Sequence, residues 1–210
     1  MIKTDKEQPV QDSLLDRKEH PLIGVLAIQG NYASHSQALR EAGGEPIEVR
    51  KPEELEALDG LVLPGGESTT MLRFLEKHGF FEALQEFGRK KPVFGTCAGA
   101  ILLAREVLNP AQRSLGLLAA TVERNAYGRQ IDSAIVTGPT ELGGEALEMV
   151  FIRAPRIVRT GAGVELLAKR DEYAVLVRQG KILAATFHPE LSADRRVHRL
   201  FVEMVKSASK

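Results

Sequence analysis

Four short strand-like runs in the first half of the chain, each followed by a stretch of helical character, restrict what it can fold into more than any other feature. They are LIGVLAIQG, EPIEVR, GLVLPGGES and KPVFGT. Runs this short, rich in aliphatic residues and bounded by Gly or Pro, suit strands buried on both faces. NYASHSQALREAGG, between the first two, reads as a helix with a glycine stop. A helix is expected near KPEELEAL, another over TTMLRFLEKHGFFEALQEFGRK with a break at Gly79, and a last one over AGAILLAREVL. The pattern βαβαβαβ implies parallel strands joined by crossover helices. The second half differs. LLAATVERNAYGRQIDSAIVTG, EALEMVFIRAPRIVRTG and VELLAKRDEYAVLVRQGKILAATFHPE carry closely spaced β-rich runs, which predict antiparallel or mixed strands added to the same sheet. DEYAVLVRQGKILAATF reads as a hairpin turning at Gln179-Gly180, and SADRRVHRLFVEMVKSA as a closing helix. With no repeat or linker in sight, residues 21–210 read as one α/β domain: a mostly parallel central sheet flanked by helices, with additional antiparallel strands in the second half.

Composition narrows the function. Lys+Arg and Asp+Glu each total 28, so the formal charge is zero and nothing favours nucleic acid or an acidic membrane as partner. One cysteine cannot close an internal disulfide, and a lone thiol suits the cytoplasm. No apolar run reaches the ~20 residues of a membrane span. Residues 1–20 are polar, lack the apolar core of a secretory signal, and read as a loosely ordered tail.

That single cysteine, Cys97, lies in GTCAG, the G-x-C-x-G form of a strand–turn–helix nucleophile elbow. Glycines are needed there because the turn crowds the backbone, and a helix N-terminus favours a thiolate. The competing reading is a small buried hydrophobe. A thiolate nucleophile needs an imidazole. Of five histidines, His20 falls in the tail, and His35, His78 and His198 fall in helices, where a solvated or capping role is the default. His188, in AATFHPEL, follows an apolar strand at the sheet edge where ligands bind in open α/β folds. Glu190 stands two residues on. In an extended segment the two side chains point the same way, and Pro189 biases His188 toward that geometry. The carboxylate then orients the imidazole. LPGGES supplies the last component: backbone N–H groups near Gly65 and Gly66 to receive an oxyanion, with the Ala98 amide as second donor. By itself it would read as a glycine-rich turn capped by Glu67 or Ser68.

LPGGES, GTCAG and FHPE in this order resemble the class I (triad) glutamine amidotransferase family, over about residues 21–207. AIQGN, ERNAYGRQIDS and FIRAP narrow the resemblance to the branch that supplies ammonia for pyridoxal 5′-phosphate synthesis. The resemblance implies Cys97 as nucleophile, His188 as acid and base, Glu190 as its orienting partner, and an oxyanion hole at Gly66 and Ala98. It implies a glutamine site at Gly65, Gly66, Glu67, Arg124, Ile152 and Arg153, with Gln29 as a further position touching it. L-Glutamine is the implied ligand and a separate synthase subunit the implied partner; no cofactor or metal is implied. Two rival enzymes stay open: a glutaminase serving another acceptor, such as imidazole glycerol phosphate synthase, and a cysteine hydrolase of peptide or γ-glutamyl bonds. A third rival is a binding module with a reactive cysteine.

Overall fold

Leu61, Val62 and Leu63 are all fully buried, yet they belong to two different cores. Side chains alternate across a strand. Leu61 and Leu63 therefore join Leu26, Met71, Leu75 and Leu84 on one face of the sheet, while Val62 joins Val25, Leu39, Phe94 and Phe201 on the other. A strand covered on both faces has no polar side, which is why GLVL is uniformly apolar.

The computed structural model describes residues 19–124 and 133–209. All of the expected tail except Glu19 and His20 lies outside them, and so do residues 125–132 of the RNAYGRQ region. In chain order the elements begin with β1 (Leu22–Leu26), α1 (Tyr32–Glu41), β2 (Glu45–Val49), β3 (Gly60–Leu63), α2 (Ser68–Lys77), α3 (Phe80–Lys90), β4 (Val93–Thr96) and α4 (Ala98–Leu103). They continue with β5 (Ala104–Leu108), β6 (Leu118–Glu123), β7 (Ser133–Gly138), β8 (Leu147–Ile152), β9 (Arg156–Thr160), β10 (Glu165–Arg170), β11 (Tyr173–Gln179), β12 (Ile182–Ala185) and α5 (Arg196–Ala208). The main sheet runs β2-β1-β3-β4-β12-β11-β9-β6-β5, with β10 paired to β11. Strands β2, β1, β3, β4 and β12 are mutually parallel. From β12 through β11 and β9 to β6 each pairing is antiparallel, and the edge pair β5–β6 is parallel. Strands β7 and β8 form a separate antiparallel pair. This is the mixed α/β sheet that the alternation predicts, a single domain with its antiparallel strands in the second half. The hairpin at Gln179-Gly180 is present, with Gln179 opposite Ile182 and Gly180 at φ 54°.

Two expectations change. AGAILLAREVL is not one helix: α4 stops at Leu103 and residues 104–108 become β5, parallel to β6. Val107 faces the core while Arg105 and Glu106 face out, and pairing with β6 overrides the local helical preference. The helix near KPEELEAL is only a 3-10 turn, Pro52–Leu55. No helix among the described residues is long and apolar enough to cross a membrane.

Candidate active site

Four adjacent parallel strands, β1, β3, β4 and β12, end on the same edge of the sheet. Leu63 pairs with Gly95 and Ala185 with Thr96, so the chain leaves β3, β4 and β12 at nearly one level. Neighbouring strands lie about 4.8 Å apart. The three loops that follow are Pro64–Ser68, the turn at Cys97, and Thr186–Glu190, and their convergence follows from strand order alone.

Cys97 stands between β4 and α4 at φ 48°, ψ −103°, a positive-φ conformation that few non-glycine residues adopt. Its N–H donates to Ala185 O at 2.9 Å, and its carbonyl accepts from Ile101 N–H at 3.1 Å. The surrounding glycines have a steric cause. A Cβ on Gly99 would lie 2.0 Å from Leu63 O, and one on Gly95 would lie 2.6 Å from the Gly99 carbonyl carbon. The helix can fold back over its own strand only without those side chains.

His188 Nδ1 lies 2.8 Å from Glu190 Oε1, and the ring stands beside Cys97: a Cβ on Gly65 would lie 2.6 Å from His188 Cε1 and 3.4 Å from Cys97 Cβ. The pair is close for a different reason from the extended one expected. Pro189–Leu191 forms a 3-10 turn, closed by Leu191 N–H donating to His188 O at 3.2 Å. Proline's fixed φ suits the first position of such a turn. Burial pulls the His188 pKa down, but the neighbouring Cys97 and the hydrogen bond with Glu190 outweigh it and raise the ring well above the ordinary imidazole range. Burial pushes Glu190 up, and its hydrogen bond from His188 together with the nearby His35 and His188 rings brings it down to about 2.

Cys97 and His188 open into a cavity of about 320 Å³. Gly65, Gly66 and Glu67 form one wall of it, and Arg124, Ile152 and Arg153 line it as well. Arg124 follows β6. Its Nη2 donates to Thr69 Oγ1 at 2.8 Å and to Glu67 Oε1 at 3.3 Å. Glu67 is the N-cap of α2, accepting from Thr69 N–H at 3.0 Å and Thr70 N–H at 2.7 Å. Burial raises its pKa, and the Thr69 and Thr70 hydrogen bonds more than reverse that, to about 2. Glu67 is therefore a helix cap as well as part of the cavity wall. Ile152 ends β8, and Arg153 follows it at φ 44°. Ala98 is buried as the first residue of α4. Gln29 does not line the cavity. It braces the glycine loop from outside, donating from Nε2 to Glu67 O at 2.7 Å, and a Cβ on Gly66 would lie 2.9 Å from that nitrogen. Among the described residues no group of three or more His, Cys, Asp or Glu is placed to hold a metal ion.

Sequence reasoning missed two features. Asn31 lines the cavity and donates to Glu190 Oε1 at 3.3 Å. His35 and His198, assigned a solvated or capping default, are fully buried, whereas His78 is exposed. A periodicity signal was available. His35 shares one face of α1 with Leu39, and His198 shares one face of α5 with Phe201 and Val202, all at i+3 or i+4.

A thiol, an imidazole and a carboxylate in line, beside a cavity with clustered backbone amides and an arginine, can carry acyl transfer from a small amide. Residues 25–207 match the profile of the SNO glutamine amidotransferase family. The chain is 58% identical over 187 residues to pyridoxal 5′-phosphate synthase subunit PdxT of Koribacter versatilis, covering 89% of this chain and 97% of the relative. It is 53% identical to the protein of that name from Thermotoga maritima, covering 88% and 99%. A solved structure described as a glutamine amidotransferase superposes with a TM-score of 0.81 at 48% identity, covering 87% of this chain and 98% of that one.

Proposed function

The chain belongs to the SNO glutamine amidotransferase family, and on that footing we propose that it is the glutaminase subunit of a pyridoxal 5′-phosphate synthase, releasing ammonia from L-glutamine for a separate synthase subunit. One observation carries the chemical reading: Cys97, on its strained elbow, stands beside His188, which is held by Glu190, and both open into a cavity of amino-acid size.

The raised imidazole pKa makes His188 a ready acceptor of the Cys97 proton. The Cys97 thiolate attacks the side-chain amide carbon of glutamine. The electron pair of the C=O moves to oxygen, which is received by backbone amides of Gly66 and Ala98. Collapse of this intermediate breaks the C–N bond, and the His188 proton leaves with the nitrogen as ammonia. A γ-glutamyl thioester remains. His188, now neutral, takes a proton from water as the water oxygen attacks the thioester. Glutamate leaves, and the thiolate and imidazolium are restored. Glu190 fixes the His188 tautomer throughout. Arg124 and Arg153 complement the substrate α-carboxylate, and Glu67 its ammonium. The compartment we assign is the cytoplasm, where a lone thiol stays reduced.

A glutaminase assay on the full chain, with and without the synthase subunit, tests this reading. Glutamate and ammonia are expected in equal amounts, with turnover rising when the synthase is added. The Gly65–Gly66 peptide is the element that a partner would set, because glycine permits more than one peptide orientation. Turnover of peptide substrates in place of glutamine would point to the hydrolase alternative.

A further inference from the structure

Behind the Cys97–His188–Glu190 line lies a second, wholly buried set of polar side chains. His35 on α1 and His198 on α5 are both 0% exposed, as is Thr96, the last residue of β4. His35 Nε2 lies 3.3 Å from Glu190 Oε2 and 3.1 Å from Thr96 Oγ1. On the other side of the ring, Nδ1 lies 3.2 Å from His198 Nε2. Among the described residues Glu190 Oε2 has no in-line hydrogen-bond donor, so the shared His35 nitrogen is its electrostatic partner. The other oxygen, Oε1, is occupied by His188 and Asn31.

Resting on the glutaminase reading above, we propose that His35 is a positioning residue: its Nε2–H, bonded to Thr96 Oγ1, also faces Glu190 Oε2 from behind and holds that carboxylate by charge–dipole attraction, and His198 fixes the tautomer that allows this. A neutral imidazole has one N–H and one lone pair. An ionised carboxylate only accepts. A lone pair on Nε2 at 3.3 Å from that oxygen would repel it, so the proton belongs on Nε2. Nδ1 is then the acceptor and requires an N–H on His198 Nε2. That leaves His198 Nδ1 as a bare lone pair, and among the described residues this atom has no hydrogen-bond partner. A buried acceptor without a partner is more readily tolerated than a buried N–H without one. The three contacts thus agree on one direction of donation, from His198 to His35 and on to Thr96, with the same N–H turned toward Glu190.

Burial keeps His35 from acting as an acid itself. It lowers the ring to about 4, with Glu190 raising it and His188 lowering it. Burial also pushes His198 well below its ordinary range, aided by His35 and by Arg195. The titratable and charged groups facing this cluster are His188 beside the Cys97 elbow, Glu190 itself, and Arg195 at the start of α5. The cluster does not line the cavity, so its effect reaches substrate only through Glu190.

The full chain, assayed with its synthase partner, tests this. In ¹⁵N-histidine spectra of the unaltered protein, His35 should be neutral with its proton on Nε2. His35→Leu removes the N–H dipole facing Oε2, and kcat should fall about tenfold, the weight of about one pKa unit at Glu190. KM for glutamine should be unchanged, and the acid limb of the pH profile should move up by about one unit as Glu190 takes a proton more easily. His35→Gln, which carries an amide N–H at similar reach, should recover most of the rate. A proton on Nδ1 would overturn the proposal. So would a folded Leu variant with wild-type kcat and acid limb, or Leu and Gln variants impaired alike. Should neither variant fold, the tautomer in the unaltered protein decides. An unaltered protein without glutaminase activity would instead sink the functional reading, and the spectra would still report on the tautomer.

Discussion

The parallel and the antiparallel strands of the molecule contribute to the same cavity in different ways. Strands β3, β4 and β12 are buried at every residue, and the loops that follow them carry the glycine wall, Cys97, His188 and Glu190. The second half is more open. Strand β7 alternates exposed and half-buried residues, and β9 is mostly exposed. It supplies Arg124, Ile152 and Arg153 from strand ends. The groups proposed to make bonds thus sit where packing over-determines the backbone, and those proposed to grip a substrate sit on a more adjustable frame. Each half holds one strained residue in the cavity, Cys97 at φ 48° and Arg153 at φ 44°.

The sharpest way to break this comparison is at the elbow. Cys97→Ala should abolish glutamine hydrolysis while leaving thermal unfolding nearly unchanged, because alanine fits the same buried space. The synthase should still make product from added ammonia. Residual glutaminase activity in this variant would remove the parallel half's claim to the chemistry. Next in size is His188→Asn, which should lose about 10²–10⁴-fold in turnover. Glu190→Gln should lose less, because it acts through the ring it orients, and a wild-type rate in that variant would end its assigned role.

Changes in the antiparallel half should act on binding. Arg124→Ala and Arg153→Ala should each raise KM more than they lower kcat, with a loss of about 1.5–3 kcal/mol per charge-assisted hydrogen bond removed. Steady-state kinetics over a glutamine series would show this, and a pure kcat effect in both would erase the division of labour. The smallest effects concern stability. Gly99→Ala forces a Cβ to 2.0 Å from Leu63 O, so denaturant melts should show a loss of about 1–3 kcal/mol. Gly138→Ala on β7 meets the flexible Met149 Cε at 3.0 Å and Lys169 O at an ordinary 3.4 Å, and should cost less than about 1 kcal/mol. Equal losses at the two glycines would show the halves to be packed alike.

By itself the sequence determined the strand–helix alternation, the elbow at Cys97, the pairing of His188 with Glu190, and the hairpin at Gln179-Gly180. Those features are local: apolar period, glycine placement and separations of a few residues encode them directly. Tertiary structure decided the remainder. Residues 104–108 leave the helical pattern because β6 offers them backbone partners that α4 cannot. Glu67, a capping candidate already in the sequence, acquired Arg124 as an ion-pair partner across 57 residues. His35 and His198 meet across 163 residues, and Asn31 reaches Glu190 across 159. Contacts over such separations depend on strand order and helix packing. No window of the sequence carries them, and a histidine on an apolar helix stripe acquires a partner only once the opposing helix is in place.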